Sequence, residues 1–504
     1  MPFVSHGWLR LLPVLGCVVL GVVLAGCTTA PVPPASGDDG TEMVIAVAAE
    51  PAVLHPLAGY APFGAAKVYQ GLVERTRSGA VRPALATEAP RPAADGRSWT
   101  VRLRPGVSFS DGSPFDAADV AATYTALLDP AYAAPVRSRF AMLAKAVAVD
   151  VETVRFDLSR PNPTFDQLLT LGIVPSTALE QRRPVTEATD SAPVGTGPYR
   201  LTEWRRGDRA VFEVNRSYSG DTPRVAKLTV EFIADESVRA ARMRAGTLDG
   251  TVLPVAVAAG FDDVAGVDVS THTAADLRAV RFGPADPVTA DQAVRTALNL
   301  AVDRAAVVAD ALGGHGRAAD TPMPDALAEF VEPGGGFAPN PALAAQLLQK
   351  AGWLLGADGV RTGPAGRAAF TLGHPREDST AGALARKFAE QAAAVGVEVT
   401  VRPTDPAVPV PATQAELVAF GEPFDPAGTG LAAEPATTDP AERASVYRAG
   451  QRAYLAAPSM VVLAAVDHGY VLRRSWNGYL PVTDAADAGL AWGAWWNVDT
   501  WTPR

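Results

Sequence analysis

Segments that favour strands alternate with segments that favour helices along this chain, and this alternation restricts the fold more than any other sequence feature. Residues 43–47 and 227–232 are rich in β-branched or alternating apolar residues and predict strands. Residues 291–312 carry apolar side chains every three or four positions, which predicts one long helix. Strands and helices in alternation are typical of α/β lobes. Single hydrophobic cores stop growing at about 250–300 residues, so this chain of 504 residues is expected to form two or three lobes.

The beginning of the chain predicts an export signal. Residues 11–24 form an almost unbroken apolar run, which ends in Leu24-Ala25-Gly26-Cys27 and is followed by a polar stretch. About 14 apolar residues are too few to cross the roughly 30 Å hydrocarbon layer of a membrane, which takes about 20 residues in a helix. We therefore expect residues 1–26 to be removed after export.

Cys27 is the expected site of lipid attachment. The small residues that precede it resemble the bacterial lipoprotein signal, in which the cysteine thiol is acylated and the chain is cleaved just before it. This predicts a protein anchored by lipid at the cell membrane, on the extracytoplasmic face. The alternative is an ordinary secretory signal with an incidental cysteine.

Charge and cysteine content exclude several classes of protein. The formal net charge is −10, and it becomes −11 when Arg10 leaves with the signal, which argues against a nucleic-acid partner. The two cysteines are Cys17, inside the signal, and Cys27, so the mature chain can form no intramolecular disulfide. The six histidines lack ligand spacing, and a zinc site is not expected.

Catalytic sequence motifs are missing. The chain contains no His-Glu-x-x-His, no Gly-x-Ser-x-Gly and no glycine-rich Walker loop. We therefore expect no catalytic residues, no cofactor and no resident metal. An extracytoplasmic hydrolase stays open as a minor alternative.

Seven short motifs follow one another in a fixed order over most of the mature chain. They occupy residues 69–73, 85–86, 103–120, 195–199, 242–249, 294–304 and 344–353. Each motif is weak by itself, but their shared order resembles the dipeptide- and oligopeptide-binding family of extracytoplasmic solute receptors for ABC importers, solute-binding protein family 5.

The resemblance implies an α/β fold with two lobes of the periplasmic-binding-protein type (cluster C), an extra β-rich subdomain in the first lobe, and two hinge strands. After the signal, residues 27–42 would be a flexible tether. Lobe I would comprise residues 43–276 and a return over 468–504. Lobe II would comprise residues 277–467.

The same resemblance implies a transport function. A short peptide, or a similar small polar solute, would be enclosed between the lobes by hinge closure and delivered to a membrane permease and ATPase complex. The receptor would act as a monomer and without chemistry.

The expected ligand contacts include an acidic anchor. Peptide-binding members pair an acidic side chain of lobe II with the ammonium group of the peptide, and Glu422 lies about where that acid falls. Asp425 is followed by Pro426, as is usual in the family, and Phe420 stands near the position of an expected tryptophan. A solvated loop acid is the alternative interpretation of Glu422.

Further contacts are expected from a basic residue and from aromatic residues. Arg376 falls near a segment that supplies a basic contact in relatives, and its guanidinium could meet a ligand carboxylate. Tyr60, Phe63 and Tyr132 are candidate aromatic residues of the cleft.

The chain also departs from the family pattern. Only a short stretch separates Asp425 from the helix predicted over residues 439–455, where relatives carry a longer insert that forms part of the pocket wall. Its loss leaves three possibilities open: a peptide receptor, a receptor for a tetrapyrrole or nickel complex, and a repurposed scaffold that acts as a cell-envelope interaction or regulatory lipoprotein without transport.

Two structural roles complete the expectations. Gly195 and Gly197 are assigned to a tight turn that needs positive φ. Packing of the returning C-terminal segment is assigned to four tryptophans: Trp492, Trp495, Trp496 and Trp501.

Overall fold

A computed structural model describes residues 41–185, 192–405, 408–486 and 489–504. The predicted signal, Cys27 and all but the last two residues of the predicted tether lie outside the described residues. Within the described ranges, no helix is long and apolar enough to cross a membrane.

Strands make up most of the framework. In chain order they are β1 Glu42–Val47, β2 Val73–Arg75, β3 Val81–Pro83, β4 Arg91–Pro92, β5 Ser98–Arg102, β6 Leu143–Asp150, β7 Thr153–Leu158, β8 Tyr199–Arg205, β9 Arg209–Val214, β10 Lys227–Phe232, β11 Gly250–Pro254, β12 Val267–Arg281, β13 Gly316–Ala318, β14 Leu354–Leu355, β15 Arg361–Gly363, β16 Gly366–Arg367, β17 Ala369–Pro375, β18 Glu398–Thr404, β19 Ala415–Phe420, β20 Met460–Arg473, β21 Trp476–Asn477 and β22 Thr502–Pro503.

Helices lie between these strands. The α-helices are α1 Ala117–Leu128, α2 Phe165–Leu168, α3 Glu236–Arg244, α4 Val255–Ala258, α5 Gln292–Ala301, α6 Arg304–Leu312, α7 Pro341–Lys350, α8 Ser379–Ala393 and α9 Pro440–Ala456.

One large sheet runs through the ranges that we call lobe I and lobe II. Its strand order is β18-β17-β19-β12-β20-β11-β1-β10-β9-β8, and β13 also pairs with β20. The long strands β12 and β20 pair antiparallel, from Val267 opposite Arg473 to Arg281 opposite Met460. One end of β20 pairs with β11 of lobe I, and one end of β12 pairs with β19 of lobe II. These two strands therefore join the halves of the sheet and correspond to the expected hinge strands.

Each half of the sheet has its own hydrophobic core. The first core contains Ile45, Phe156 and, from the returning C-terminal segment, Trp495. The second core contains Leu298 and Phe388 from the helices of lobe II. Burial of apolar surface stabilises each lobe at about 25 cal/mol per Å². The exact lobe boundaries stay a prediction.

The β-rich part of lobe I is a separate four-stranded sheet, in the order β4-β5-β7-β6. Helix α1 packs on it, with the ring of Tyr124 4.8 Å from that of Phe156. In the sequence, Asp116 and Asp119 stand just before the helical run 120–128 and predict a helix start, because an acidic N-cap and first turn suit the helix dipole. The structure confirms this start with a capping box: Asp116 accepts from the Ala118 N–H at 2.7 Å, and Asp119 accepts from the Asp116 N–H at 3.1 Å.

The prediction of one long helix over residues 291–312 is wrong. Helix α5 ends at Ala301 and α6 begins at Arg304. Asp303 breaks the run because its carboxylate caps the second helix and accepts from the Ala306 N–H at 3.0 Å. The buried guanidinium of Arg304 also donates to the Asn299 carbonyl at 3.1 Å, near the end of the first helix.

The reason given for Gly195 and Gly197 is also wrong. Neither glycine has a positive φ. A Cβ on Gly195 would lie 2.1 Å from the Val68 carbonyl oxygen, and one on Gly197 would lie 2.6 Å from the Lys67 carbonyl oxygen. Glycine is required here because two backbone segments pass very close to each other.

Candidate functional site

A cavity of about 450 Å³ lies between residues 138–162 of lobe I and residues 422–434 of lobe II. We call it the interlobe cavity. Its volume falls in the usual range for small-molecule sites, about 300–1,000 Å³. Lobe I contributes basic groups to its wall and lobe II contributes acidic groups. The charged lining residues are Arg139, Arg160, Glu422, Asp425 and Glu434.

The backbone before Glu422 directs this side chain toward lobe I. Strand β19 ends at Phe420, and Gly421 has φ +116°, which favours glycine. A Cβ at Gly421 would also lie 2.1 Å from the Ala275 carbonyl oxygen. The chain can therefore turn past the hinge strand and place Glu422 in the cavity wall.

Glu422 forms an ion pair across the two lobes and retains an unused oxygen. Its Oε1 accepts from Arg139 Nη1 at 3.3 Å. Its Oε2 is buried and has no hydrogen-bond partner among the described residues. Burial raises the pKa of Glu422 to about 7, although the positive charge of Arg139 opposes the rise.

Asp425 holds the loop that carries Glu422. Its carboxylate accepts from the Ala427 N–H at 3.0 Å and from Arg443 at 2.7 Å. Arg443 also donates to Glu434 at 2.6 Å, and the Tyr447 hydroxyl donates to Glu434 at the same distance. This network fixes the acidic side of the cavity.

Two further cavities are smaller than the interlobe cavity. The aromatic cavity, about 230 Å³, is lined by Tyr60, Phe63 and Trp492, among others. The hinge cavity, about 280 Å³, is lined by Arg278 and His468, and lies between residues 47–49 and 234–254 of lobe I and residues 377–380 of lobe II.

A buried chain of charged groups runs along the hinge cavity. His468 Nδ1 lies 2.9 Å from Asp484 Oδ2, and its Nε2 lies 3.1 Å from Asp276 Oδ2. Arg278 donates to both oxygens of Asp276, at 2.9 and 2.7 Å, and to Asp378 at 2.7 Å. These charged side chains therefore link both hinge strands to Asp378, the residue just before α8.

Opposing effects act on the pKa of His468. Burial alone would lower it, but the hydrogen bonds and negative charges of Asp276 and Asp484 outweigh burial and raise the pKa of His468 to about 9. The imidazole is therefore protonated at neutral pH and donates to both carboxylates.

Residues 80–442 match the family model of bacterial extracellular solute-binding proteins, family 5 middle. This match spans well over half of the chain. The chain is a family 5 solute-binding protein. The resemblance predicted from the seven motifs is therefore confirmed, and with it the extracytoplasmic class of receptor for ABC transport.

Relatives of this family 5 protein extend the finding. The chain is 37% identical over 503 residues to Protein XP55 of Streptomyces lividans, which covers 93% of this chain and 92% of that protein. The fold of this chain is similar to that of NikZ from Campylobacter jejuni in complex with Ni(L-His). The TM-score is 0.85 and the identity 23%, and the match covers 92% of this chain and 99% of the NikZ chain. The fold is also similar to that of AppA from Bacillus subtilis in complex with a nonapeptide, with TM-score 0.79, 19% identity, and the same coverage. These two structures confirm the predicted two-lobe α/β fold class.

The structure brings some of the expected site residues of this family 5 protein together. Glu422 and Asp425 line the interlobe cavity. Tyr60 and Phe63 line the aromatic cavity, and Phe63 also stacks under Arg139, whose guanidinium carbon lies 4.6 Å from the ring centroid.

Other expected residues line none of these three cavities. Arg376 is exposed just beyond the end of β17. Phe420 is partly buried in lobe II, opposite Leu277 of the hinge strand. Tyr132 is buried in lobe I, where its hydroxyl donates to the Leu179 carbonyl and is not available to a ligand.

Sequence reasoning missed Arg139, Phe424 and Arg278. Arg139 is 283 residues away from Glu422 along the chain, so no spacing rule could pair them. Phe424, in contrast, lies between two residues that were named, and its position in that loop was a usable signal.

No group of three or more His, Cys, Asp or Glu side chains among the described residues is arranged to hold a metal ion. The cavity walls supply ion pairs, backbone groups and aromatic rings instead. These groups can bind and orient a charged solute.

Proposed function

We propose that this family 5 protein captures a small solute with a free amine, a short peptide in the first place, in the interlobe cavity and delivers it to an ABC permease and ATPase complex. A lipid on Cys27 would hold the receptor beside the membrane. The chain would act as a monomer and would bind its solute without chemical change. NikZ in complex with Ni(L-His) and AppA in complex with a nonapeptide, both similar in fold, support a binding role.

The unpaired oxygen of Glu422 carries this proposal. A buried acceptor without a partner costs about 1–3 kcal/mol, and more when it is charged. A ligand ammonium would supply the missing hydrogen bonds and the opposite charge. Arg139, in contact with the other oxygen of Glu422, is the group that would meet a ligand carboxylate.

A binding experiment with matched ligands tests the proposal. Titration calorimetry would compare a dipeptide that has a free amine with the same dipeptide after N-acetylation. We expect the free amine to bind at least about tenfold more tightly, which corresponds to about 1.4 kcal/mol. Glu422→Gln should remove this preference. Equal binding of both ligands by the wild type would contradict the proposed role of Glu422.

A second candidate function is the repurposed envelope lipoprotein without transport. It is favoured by the direct contacts between the lobes, since Glu422 and Phe424 pack on lobe I. A receptor raises its melting temperature when ligand binds, by mass action. If no peptide or other amine-bearing solute changes the melting temperature, the second function becomes the better account.

A further inference from the structure

Asn162 is a polar residue of lobe I that lies in the wall of the interlobe cavity. Only 4% of its surface is exposed. It follows β7 and stands between Pro161 and Pro163. The two proline rings restrict the backbone on both sides of Asn162. The turn therefore presents this side chain to the cavity with little backbone freedom.

Hydrogen bonds determine which way the Asn162 amide points. Its Oδ1 accepts from the Thr164 N–H at 2.8 Å and from the Thr164 hydroxyl at 3.1 Å. A backbone N–H can only donate, so the amide oxygen faces Thr164 and the amide nitrogen faces away from it. No group among the described residues accepts a hydrogen bond from Nδ2, and this atom is not fully buried. Its two N–H groups can therefore donate to a molecule in the cavity.

Arg160 is a second donor of lobe I in the same cavity wall. It is half-buried, and its Nη1 donates to the Glu434 carbonyl of lobe II. Arg139 pairs with Glu422, but no carboxylate of the described residues forms an ion pair with Arg160. A guanidinium has five N–H donors, so most of those on Arg160 remain for another acceptor. Its positive charge favours an anion.

The unused polar groups of the interlobe cavity lie on opposite lobes. Lobe II supplies an acceptor, the Oε2 of Glu422, which has no partner. Lobe I supplies donors, from Asn162 and Arg160. An ammonium suits the acceptor, and a carboxylate suits the donors, because its two oxygens only accept. A solute that carries both groups would therefore satisfy both walls and connect the two lobes.

We propose that Asn162 and Arg160 hold the carboxylate end of the solute and make the receptor selective for zwitterions, such as dipeptides with both termini free. This inference rests on the proposed function, which assigns the amine end to Glu422 and a carboxylate contact to Arg139. Arg139 already donates to Glu422. The donors of Asn162 and Arg160 would complete the hydrogen bonds of a carboxylate that Arg139 alone satisfies only in part.

Two dipeptides that differ at the carboxyl end test the inference. Calorimetry would measure the binding of Ala-Ala and of Ala-Ala amide, both with a free amine, to the chain from Thr28 onward, which contains every described residue. We expect the wild type to bind the free carboxylate at least about tenfold more tightly. Asn162→Asp keeps the oxygen that accepts from Thr164 but replaces the donor with a negative oxygen. It should reduce the preference to about threefold or less.

Asn340→Asp is the matched control for this variant. Asn340 also accepts from a backbone N–H, that of Leu343 at 2.9 Å, but it is exposed and lines none of the three cavities. It should keep the preference of the wild type. Asn162→Ser removes the amide donors without adding a charge, and its hydroxyl can form the same kind of turn. It should also reduce the preference, and it replaces Asn162→Asp if that variant does not fold, as judged by its melting temperature.

Arg160→Gln tests the second donor. We expect this variant to bind Ala-Ala about tenfold more weakly than the wild type and to bind the amide about equally well, because only the carboxylate loses a charged partner. Arg448→Gln is its control. Arg448 is half-buried and also donates to a backbone carbonyl, that of Glu329 at 2.6 Å, but it lines none of the three cavities. It should bind both ligands as the wild type does.

The outcomes separate this inference from the proposed function. Equal binding of Ala-Ala and its amide by the wild type, or an unchanged preference in folded Asn162 and Arg160 variants, would overturn the inference. The receptor function would stand in both cases, because both ligands keep the amine that Glu422 is proposed to bind. If neither dipeptide binds to the wild type, the proposed peptide function is contradicted and the inference fails with it.

Discussion

Glu422 is a carboxyl group on which burial and a neighbouring cation act in opposite directions. Burial raises its pKa to about 7, from an ordinary value of 4.5, despite the Arg139 guanidinium beside it. The folded protein thus favours the protonated form more than the unfolded chain does.

The free energy of unfolding should reflect this shift. The stabilising contribution of protonated Glu422 is fully present below about pH 4.5 and is lost as the pH rises through about 7. Relative to Glu422→Gln, the wild type should therefore lose up to about 3 kcal/mol of stability between these pH values. Urea unfolding of both proteins across this range measures the difference. A difference that does not change with pH would contradict the shift.

Affinity for an amine-bearing ligand should increase as the pH rises, whereas the stability that Glu422 contributes decreases. The ammonium of the ligand needs the charged carboxylate, so binding should weaken by up to about tenfold for each pH unit below 7. The N-acetylated ligand gives the control, because its affinity should not follow the titration of Glu422. Calorimetry at pH 6 and pH 8 distinguishes the two ligands.

For individual residues, the sequence identified candidate side chains within one loop but did not identify the side chains that they contact. Glu422 and Asp425 could be named because they follow a family pattern along the chain. Arg139 could not, because its contact with Glu422 depends on how two distant segments fold. Arg376 stays a prediction: the sequence placed it near the cleft, and in the fold it is exposed just beyond the end of β17.

Elements whose limits are set by local hydrogen bonds were easier to predict. Helix α1 begins at its acidic capping box, as expected. The break between α5 and α6 was missed, because the apolar repeat continues through Asp303 and the capping role of that side chain was not recognised. The role of Gly195 was misassigned because the segment that passes over it comes from residues 67–68.

The close contact between Gly195 and the Val68 carbonyl oxygen predicts that a larger residue at position 195 will destabilise the protein. Gly195→Ala forces a Cβ toward the Val68 carbonyl oxygen and should lower the free energy of unfolding by about 1–3 kcal/mol. Gly260→Ala is the control, because its Cβ would meet only the end of the Arg244 side chain, at 3.3 Å. Thermal unfolding compares the two variants. Equal melting temperatures would contradict the account of this contact.

The hinge strands depend on the charge of His468. Since its pKa is raised to about 9, its contribution to stability is fully present below about pH 6.5 and is lost as the pH rises through 9. His468→Gln should therefore lower the free energy of unfolding by about 2–3 kcal/mol at neutral pH, and by less above pH 9. The exposed His315→Gln is the control. A constant loss from pH 6 to pH 10 would show that the charge of His468 is not involved.

At the scale of the whole molecule, the two lobes are connected in two ways. The hinge strands join them, and residues 422–434 also contact lobe I, through Glu422, Phe424 and the Glu434 carbonyl, which accepts from Arg160. The order of motifs predicted the two-lobe fold. It could not predict this closure, because the contacts join residues that are more than 270 positions apart.

Native mass spectrometry tests the central claim, that the chain is a receptor that holds an amine-bearing solute at Glu422. The chain from Thr28 onward and its Glu422→Gln variant would be incubated with a mixture of short peptides and then weighed without denaturation. We predict that the wild type carries bound peptide masses and that the variant carries few or none. A wild-type protein that stays empty, or a variant that retains the same bound masses, would contradict the account.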